Sequence, residues 1–143
     1  MRSNPVVELI DYPVMLDLPA PRLRAYARET VIAEKFQAMV ALDRANSRMK
    51  DFYDIWLLSR SFPFDDERLP RAIAATFARR ETEIPCELPD ALTPAFAADD
   101  QRRRQWRAFV EDVAHDPGDL ADVVEDIAAF LMLHAALAEK AGP

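Results

Sequence analysis

The sequence predicts a mainly α-helical fold, a helical bundle of about five helices preceded by a short N-terminal strand or extended arm. Three observations predict it. Apolar residues recur at three- and four-residue steps over most of the chain after Arg22. Capping residues and prolines fall at the ends of those periodic stretches rather than inside them. The first 21 residues differ, with one short β-capable run among Pro5, Pro13, Pro19 and Pro21. A length of 143 residues suits one compact domain, so the chain divides into an arm, 1–21, and a helical domain, 22–143.

The elements follow in order. In the arm, Val6, Leu9 and Ile10 supply at most one strand, over about 5–12, because proline lacks the amide hydrogen that a ladder needs. Such a lone strand must pair outside itself, with a second copy or a sheet that these residues do not contain. Val31, Ile32, Phe36, Met39 and Val40 predict a helix from about Arg28 to Leu42 or residue 43. Asn46 and Ser47 offer an N-cap for a second helix, to about Arg60, carrying Met49, Phe52, Tyr53, Ile55, Trp56 and Leu58. Pro63 closes it. Asp65-Asp66-Glu67 places negative charge before a third helix through Leu69, Ile73 and Phe77, where Pro70 is tolerable only in the first turn. Residues 81–98 read as a wrapped loop in which Thr93-Pro94 starts a helical turn. Asp99 or Asp100 caps a fourth helix to about residue 114, and Asp119, after the turn Asp116-Pro117-Gly118, caps a fifth to about Lys140.

Composition excludes several functions. The only glycines, Gly118 and Gly142, lie late, so the first 117 residues hold no P-loop, Rossmann fingerprint or glycine-rich phosphate cradle. Two histidines and one cysteine exclude a Cys/His zinc site. No apolar run reaches the roughly 18 residues of a membrane span. The start lacks a signal-peptide pattern, and the single Cys86 cannot form an internal disulfide, so a cytoplasmic location is expected. Residues 1–80 carry 13 basic and 11 acidic side chains, residues 81–143 carry 5 and 14. A net charge of −7 argues against non-specific DNA binding, though a local basic face can still meet a phosphate.

The densest ionisable cluster spans the first two helices: Glu29, Glu34 and Lys35, then Arg44, Arg48, Lys50, Asp51 and Asp54. On the second helix Arg48 and Asp51 stand three apart, as do Asp51 and Asp54, while Lys50 and Asp54 stand four apart, and such neighbours share a face. The plain interpretation is a solvated, salt-bridged surface. The functional one is a phosphate-facing patch in which Lys35 neutralises a nucleotide's phosphates while Asp51 or Asp54 assists the chemistry or orients the lysine.

Arg22–Val40 together with Asn46–Leu58 resembles the nucleotidyltransferase-like abortive-infection toxin family of AbiEii/AbiGii type. The residues that carry the resemblance are Glu29, Ala33-Glu34-Lys35 and Arg48-Met49-Lys50-Asp51-Phe52-Tyr53-Asp54-Ile55. It covers residues 5–80, and Leu92–Phe96 and Trp106–Phe109 are similar to a common tail of those proteins. The resemblance implies a fold like the second, helical lobe of a polymerase-β-type nucleotidyltransferase. It implies Lys35, Asp51 and Asp54 as catalytic residues, Glu29, Arg48 and Lys50 as nucleotide-binding residues, and no metal ligand in this chain. For the full-length family it implies Mg²⁺ and a nucleoside triphosphate, an RNA acceptor such as tRNA, and an antitoxin in a phage-defence pair.

One departure matters. The family's first lobe has a Gly-Gly or Gly-Ser turn and an Asp-x-Asp pair for the metal; here no glycine precedes residue 118 and the first 42 residues hold no Asp-x-Asp. The chain therefore reads as the helical, nucleotide-facing half, entered at the last strand of the missing lobe. It is expected to bind neither metal nor nucleotide strongly and to transfer no nucleotide alone. The alternative is a non-catalytic interaction module that binds an antitoxin, a nucleotide or a second copy through the N-terminal strand. Among other candidates, Cys86 reads as a loop or small buried residue, His134 as a packed histidine, and Arg102-Arg103-Arg104 as a charge-paired exposed face. Phe52 and Trp56 read as core, with Tyr53 the aromatic better placed to stack a base.

Overall fold

The computed structural model describes residues 20–42, 44 and 47–141, all helix, turn and loop. The expected strand over 5–12, the rest of the arm before Ala20 and the Asn46 cap lie outside the described residues. The helices are α1 (Ala20–Ala41), α2 (Met49–Ser61), α3 (Arg68–Arg79), α4 (Pro94–Ala98), α5 (Asp100–Val110) and α6 (Leu120–Ala141), with a 3₁₀ turn at Asp90–Leu92.

Helix α1 starts eight residues before the Arg28 that periodicity suggested. Pro21 permits this, because it sits in the first turn, where an amide hydrogen has no helical partner. Helix α2 starts after Ser47 rather than at it, with Arg48 at the N-cap position. Before α3, the Asp65 carboxylate accepts the N–H groups of Arg68 and Glu67, which hold its carboxyl below the usual carboxylate range. Pro70 is the third residue of α3, inside the first turn as required. Thr93 Oγ1 accepts the Phe96 N–H at 3.2 Å to start α4, and Asp99 accepts those of Gln101 (2.8 Å) and Arg102 (3.2 Å) to start α5. Helix α5 stops at Val110, short of residue 114, as Asp112 and Val113 donate back only three residues, to Phe109 and Val110.

Two packing layers meet at α3 and α6. Helix α1 lies along α3, where Phe36 and Phe77 meet with ring centroids 5.2 Å apart. Helix α6 packs against α3, α2 and α4, and buries Val123, Val124, Ile127, Leu131, Ala135 and Ala138. Phe52 of α2 stacks on Phe96 of α4 at 5.4 Å. Each fully buried Val, Leu, Ile or Phe side chain among these contributes about 1.5–3 kcal/mol of transfer free energy. Trp106 of α5 is buried and donates its Nε1–H to the Gly118 carbonyl at 2.8 Å, which fastens the turn before α6. His134 is buried on α6 and donates from Nδ1 to the Phe130 carbonyl at 2.9 Å, the packed role its spacing suggested.

Among the described residues, two adopt positive φ. Gly118 has φ +92°, which a side chain would strain. Glu81 has φ +51° at the end of α3, where the Thr82 N–H reaches the Phe77 carbonyl (2.9 Å) and the Glu81 N–H that of Ala78 (3.1 Å). Those two bonds form the Schellman closure that glycine usually makes. We expect Glu81→Gly to stabilise the protein by about 0.5–1 kcal/mol, since the left-handed cost of an L-residue exceeds glycine's entropy cost. Gly118→Ala should destabilise it by about 1–2 kcal/mol. Urea unfolding of both variants checks the opposite signs.

Candidate functional site

Lys35 projects from α1 toward α2, and two α2 carboxylates receive it. Its Nζ lies 3.0 Å from Asp51 Oδ1 and 3.2 Å from Asp54 Oδ2. Two further cations complete the group: Arg48 Nε donates to Asp51 Oδ2 at 3.1 Å, and Lys50 Nζ to Asp54 Oδ2 at 2.7 Å. Burial is graded from inside outward. The side chains of Asp51, Lys35 and Asp54 are 8%, 16% and 16% exposed, whereas those of Arg48 and Lys50 are 63% and 70% exposed. Burial alone would weaken the proton's hold on Lys35. The hydrogen bond and charge of Asp51, then those of Asp54, outweigh it and raise the pKa of the ammonium.

The spacing explains the convergence. Asp51 and Asp54 are one helical turn apart and share a face, and Asp51 stands in the first turn of α2, where the helix dipole favours a carboxylate. The α1–α2 turn is fixed from beneath. Arg44 pairs with Asp90 through Nη2 (2.7 Å) and Nε (3.1 Å) and reaches Asp99 at 3.4 Å. Its carbonyl accepts both the Ser47 N–H and the guanidinium of the buried Arg102.

Glu29, expected with this group, lies elsewhere. It precedes Lys35 by six residues, about 9 Å along the helix and a third of a turn away in direction. It is buried and pairs instead with Arg68 Nε at 3.5 Å, at the start of α3. Desolvation raises its pKa, with Asp65 adding to the rise and the positive charges of Arg68 and Arg28 opposing it. Glu34 binds α3 too, its two oxygens each 2.7 Å from Arg79 and Arg80.

Several expectations need correction. Tyr53 is buried, packing on Phe109 (5.6 Å) and Trp56 (6.0 Å), so it cannot stack a base. Trp56 is the partly exposed one, covered by Arg60 at 5.0 Å. Arg102 is buried and bonded to Arg44, not part of an exposed charged face. Nothing in the run Arg102-Arg103-Arg104 marks its first member as different; only its position behind the Asp99 cap hints at an inward direction. Cys86 is exposed, in the loop after α3.

The carboxylates here do not fit a magnesium ion. Three oxygens of Asp51 and Asp54 already face ammonium or guanidinium groups at 3.2 Å or less, and no group of three His, Cys, Asp or Glu among the described residues can hold a metal. The exposed Arg48 and Lys50 can meet an anion, beside the positive end of α2.

Comparison with known proteins places the chain in the class of toxin-type nucleotidyltransferases of toxin–antitoxin systems. The family model described as nucleotidyl transferase AbiEii toxin, Type IV TA system, matches residues 2–132, and the chain belongs to that family, as its sequence resemblance implied. No curated protein and no solved structure matches it. No helix among the described residues is long and apolar enough to cross a membrane.

Two outcomes follow from the geometry. Lys35→Ala leaves buried Asp51 and half-buried Asp54 without their shared ammonium and should cost about 2–4 kcal/mol, whereas Lys50→Ala, at an exposed lysine, should cost less than about 1 kcal/mol. Equal losses in chemical denaturation would contradict the graded burial. Glu29→Gln should raise Tm at pH 7, because the raised pKa means that the ionised form destabilises the native state. The gain should shrink as pH falls through the raised value and vanish below the ordinary value near 4.5, where Glu29 is protonated in both states.

Proposed function

We propose that this helical unit is the phosphate-facing half of a toxin-type nucleotidyltransferase, with Arg48 and Lys50 receiving the polyphosphate of a nucleoside triphosphate. The observation that supports it is Lys35 held between Asp51 and Asp54 behind two exposed cations at the first turn of α2. Three cations against two carboxylates leave this spot positive on a chain of net charge −7, and the start of α2 adds roughly half a positive charge.

In nucleotidyl transfer an acceptor oxygen bonds to the α-phosphorus as the bond to pyrophosphate breaks, and negative charge builds on the departing oxygens. Cations held in place beforehand stabilise that charge without reorganising. Lys35, Asp51 and Asp54 then act as a set: the carboxylates aim the lysine and Arg48 rather than binding metal. Glu29 supports α1 against α3 from a distance. The RNA acceptor, such as tRNA, and the antitoxin counterpart belong to the same family reading. With no Asp-x-Asp in the first 42 residues and no cluster of carboxylates placed to hold Mg²⁺ among the described residues, this unit binds nucleotide weakly and transfers none.

Titration with each fluorescent nucleoside triphosphate tests the binding. Weak binding should be lost at least roughly tenfold in an Arg48→Ala/Lys50→Ala double variant, which leaves the inner pairs in place. No binding of any nucleotide would favour a non-catalytic interaction module instead. For transfer, the chain is incubated with labelled triphosphates, Mg²⁺ or Mn²⁺, and total tRNA. Labelled RNA that disappears with Asp51→Ala would show that these residues suffice for catalysis.

A further inference from the structure

Away from the Lys35 cluster, and sharing no residue with it, a cleft of about 550 Å³ opens between α4, α5 and the start of α6. Its floor is apolar, formed by residues such as Leu92, Ala97, Trp106 and Val124. Its two sides carry opposite charge. Arg103 and Arg107, one turn apart on α5, line one side, while Asp119 and Glu125, before and within α6, line the other. All four residues are exposed, and none forms a side-chain ion pair or hydrogen bond among the described residues. The cleft keeps the two signs from meeting within one molecule. Leu88, one of three large apolar residues left exposed among the described residues, stands at 46% exposure on the same rim.

We infer that this cleft is a homodimer interface whose occupant is a second copy of the chain. A surface with a positive and a negative side is its own complement. A two-fold axis running along the cleft sets the Arg103/Arg107 side of one copy on the Asp119/Glu125 side of the other, twice over. The same operation brings each copy's Leu88 toward the other's apolar floor, so one surface supplies both knob and hole. The net charge of −7 does not forbid it: at physiological ionic strength charges are screened within about 8 Å, while contacting pairs persist.

Sedimentation of the full chain across a range of micromolar concentrations at physiological salt tests the inference. The wild-type protein should pass from monomer to dimer as concentration rises. Arg103→Glu/Arg107→Glu should stay monomeric, because each side then meets its own sign. Asp119→Asn/Glu125→Lys should do the same, because its acidic side then carries positive charge against the arginines. Mixing the two variants should restore the dimer mass, since both contact sides then pair opposite charges. Leu88→Ser should weaken the wild-type dimer roughly tenfold. A wild-type chain that stays monomeric, including one whose cleft takes up an apolar dye instead, would overturn the proposal. So would charge-reversed variants that dimerise separately as the wild type does, a mixture that stays monomeric, or a dissociation constant unmoved by Leu88→Ser. Circular dichroism of each variant verifies that the helices are intact, as expected for substitutions at exposed positions.

Discussion

A half-buried ammonium cannot rest between helices without acceptors, and the acceptors of Lys35 decide how α1 and α2 meet. Helix α1 has its broad apolar contact with α3, through Phe36 and Phe77, not with α2. Polar contacts join α1 to α2 as well, with Lys35 reaching across to Asp51 and Asp54. The raised pKa of Lys35 shows which effect wins: two carboxylates within 3.2 Å outweigh the desolvation that opposes them. Helix α2 is in turn held on its far side by α6 and by the Phe52–Phe96 stack. The charged group is therefore clamped between two apolar supports, and its geometry inherits their rigidity.

This arrangement limits the chemistry. A carboxylate that faces an ammonium at 3.0 Å and a guanidinium at 3.1 Å, as Asp51 does, is committed to orienting cations. The outer members, Arg48 and Lys50, alone in the group reach solvent freely, which is why the proposed function assigns the anion to them. The polarity is suited to phosphate and unsuited to a hard divalent metal. Membership of the AbiEii family fits that polarity, because phosphates are what a nucleotidyltransferase must hold.

Much of this was readable from residue order. The three- and four-residue steps of Ile32, Phe36 and Met39, and of Leu69, Ile73 and Phe77, reported the buried faces directly, because burial follows helical period. The Lys35 contact with α2 was readable only from motifs at a fixed separation, since periodicity says nothing about which helices adjoin. Other features depended on tertiary contacts that no local pattern encodes. Tyr53 is buried because α5 covers it with Phe109, and Arg102 is buried because the α1–α2 turn lies above it. Glu29 was drawn to the cluster by the motif, but six residues on a helix turn it toward Arg68. The apolar period places the start of α1 at Arg28, too late, because the helix begins before its apolar repeat does and its first turn accepts Pro21. The cleft was invisible, because its walls come from three separated segments.

The Arg44 carbonyl, accepting from both Ser47 and Arg102, ties the turn that presents Arg48 to a side chain 58 residues further on. During synthesis at about 5–20 residues per second, that turn exists for roughly 3–12 s before its anchor is made. The order of translation thus delays completion of the charged group until α5 has been added. A nascent chain ending before Arg102 carries every charged member of the cluster without the clasp that fixes its approach.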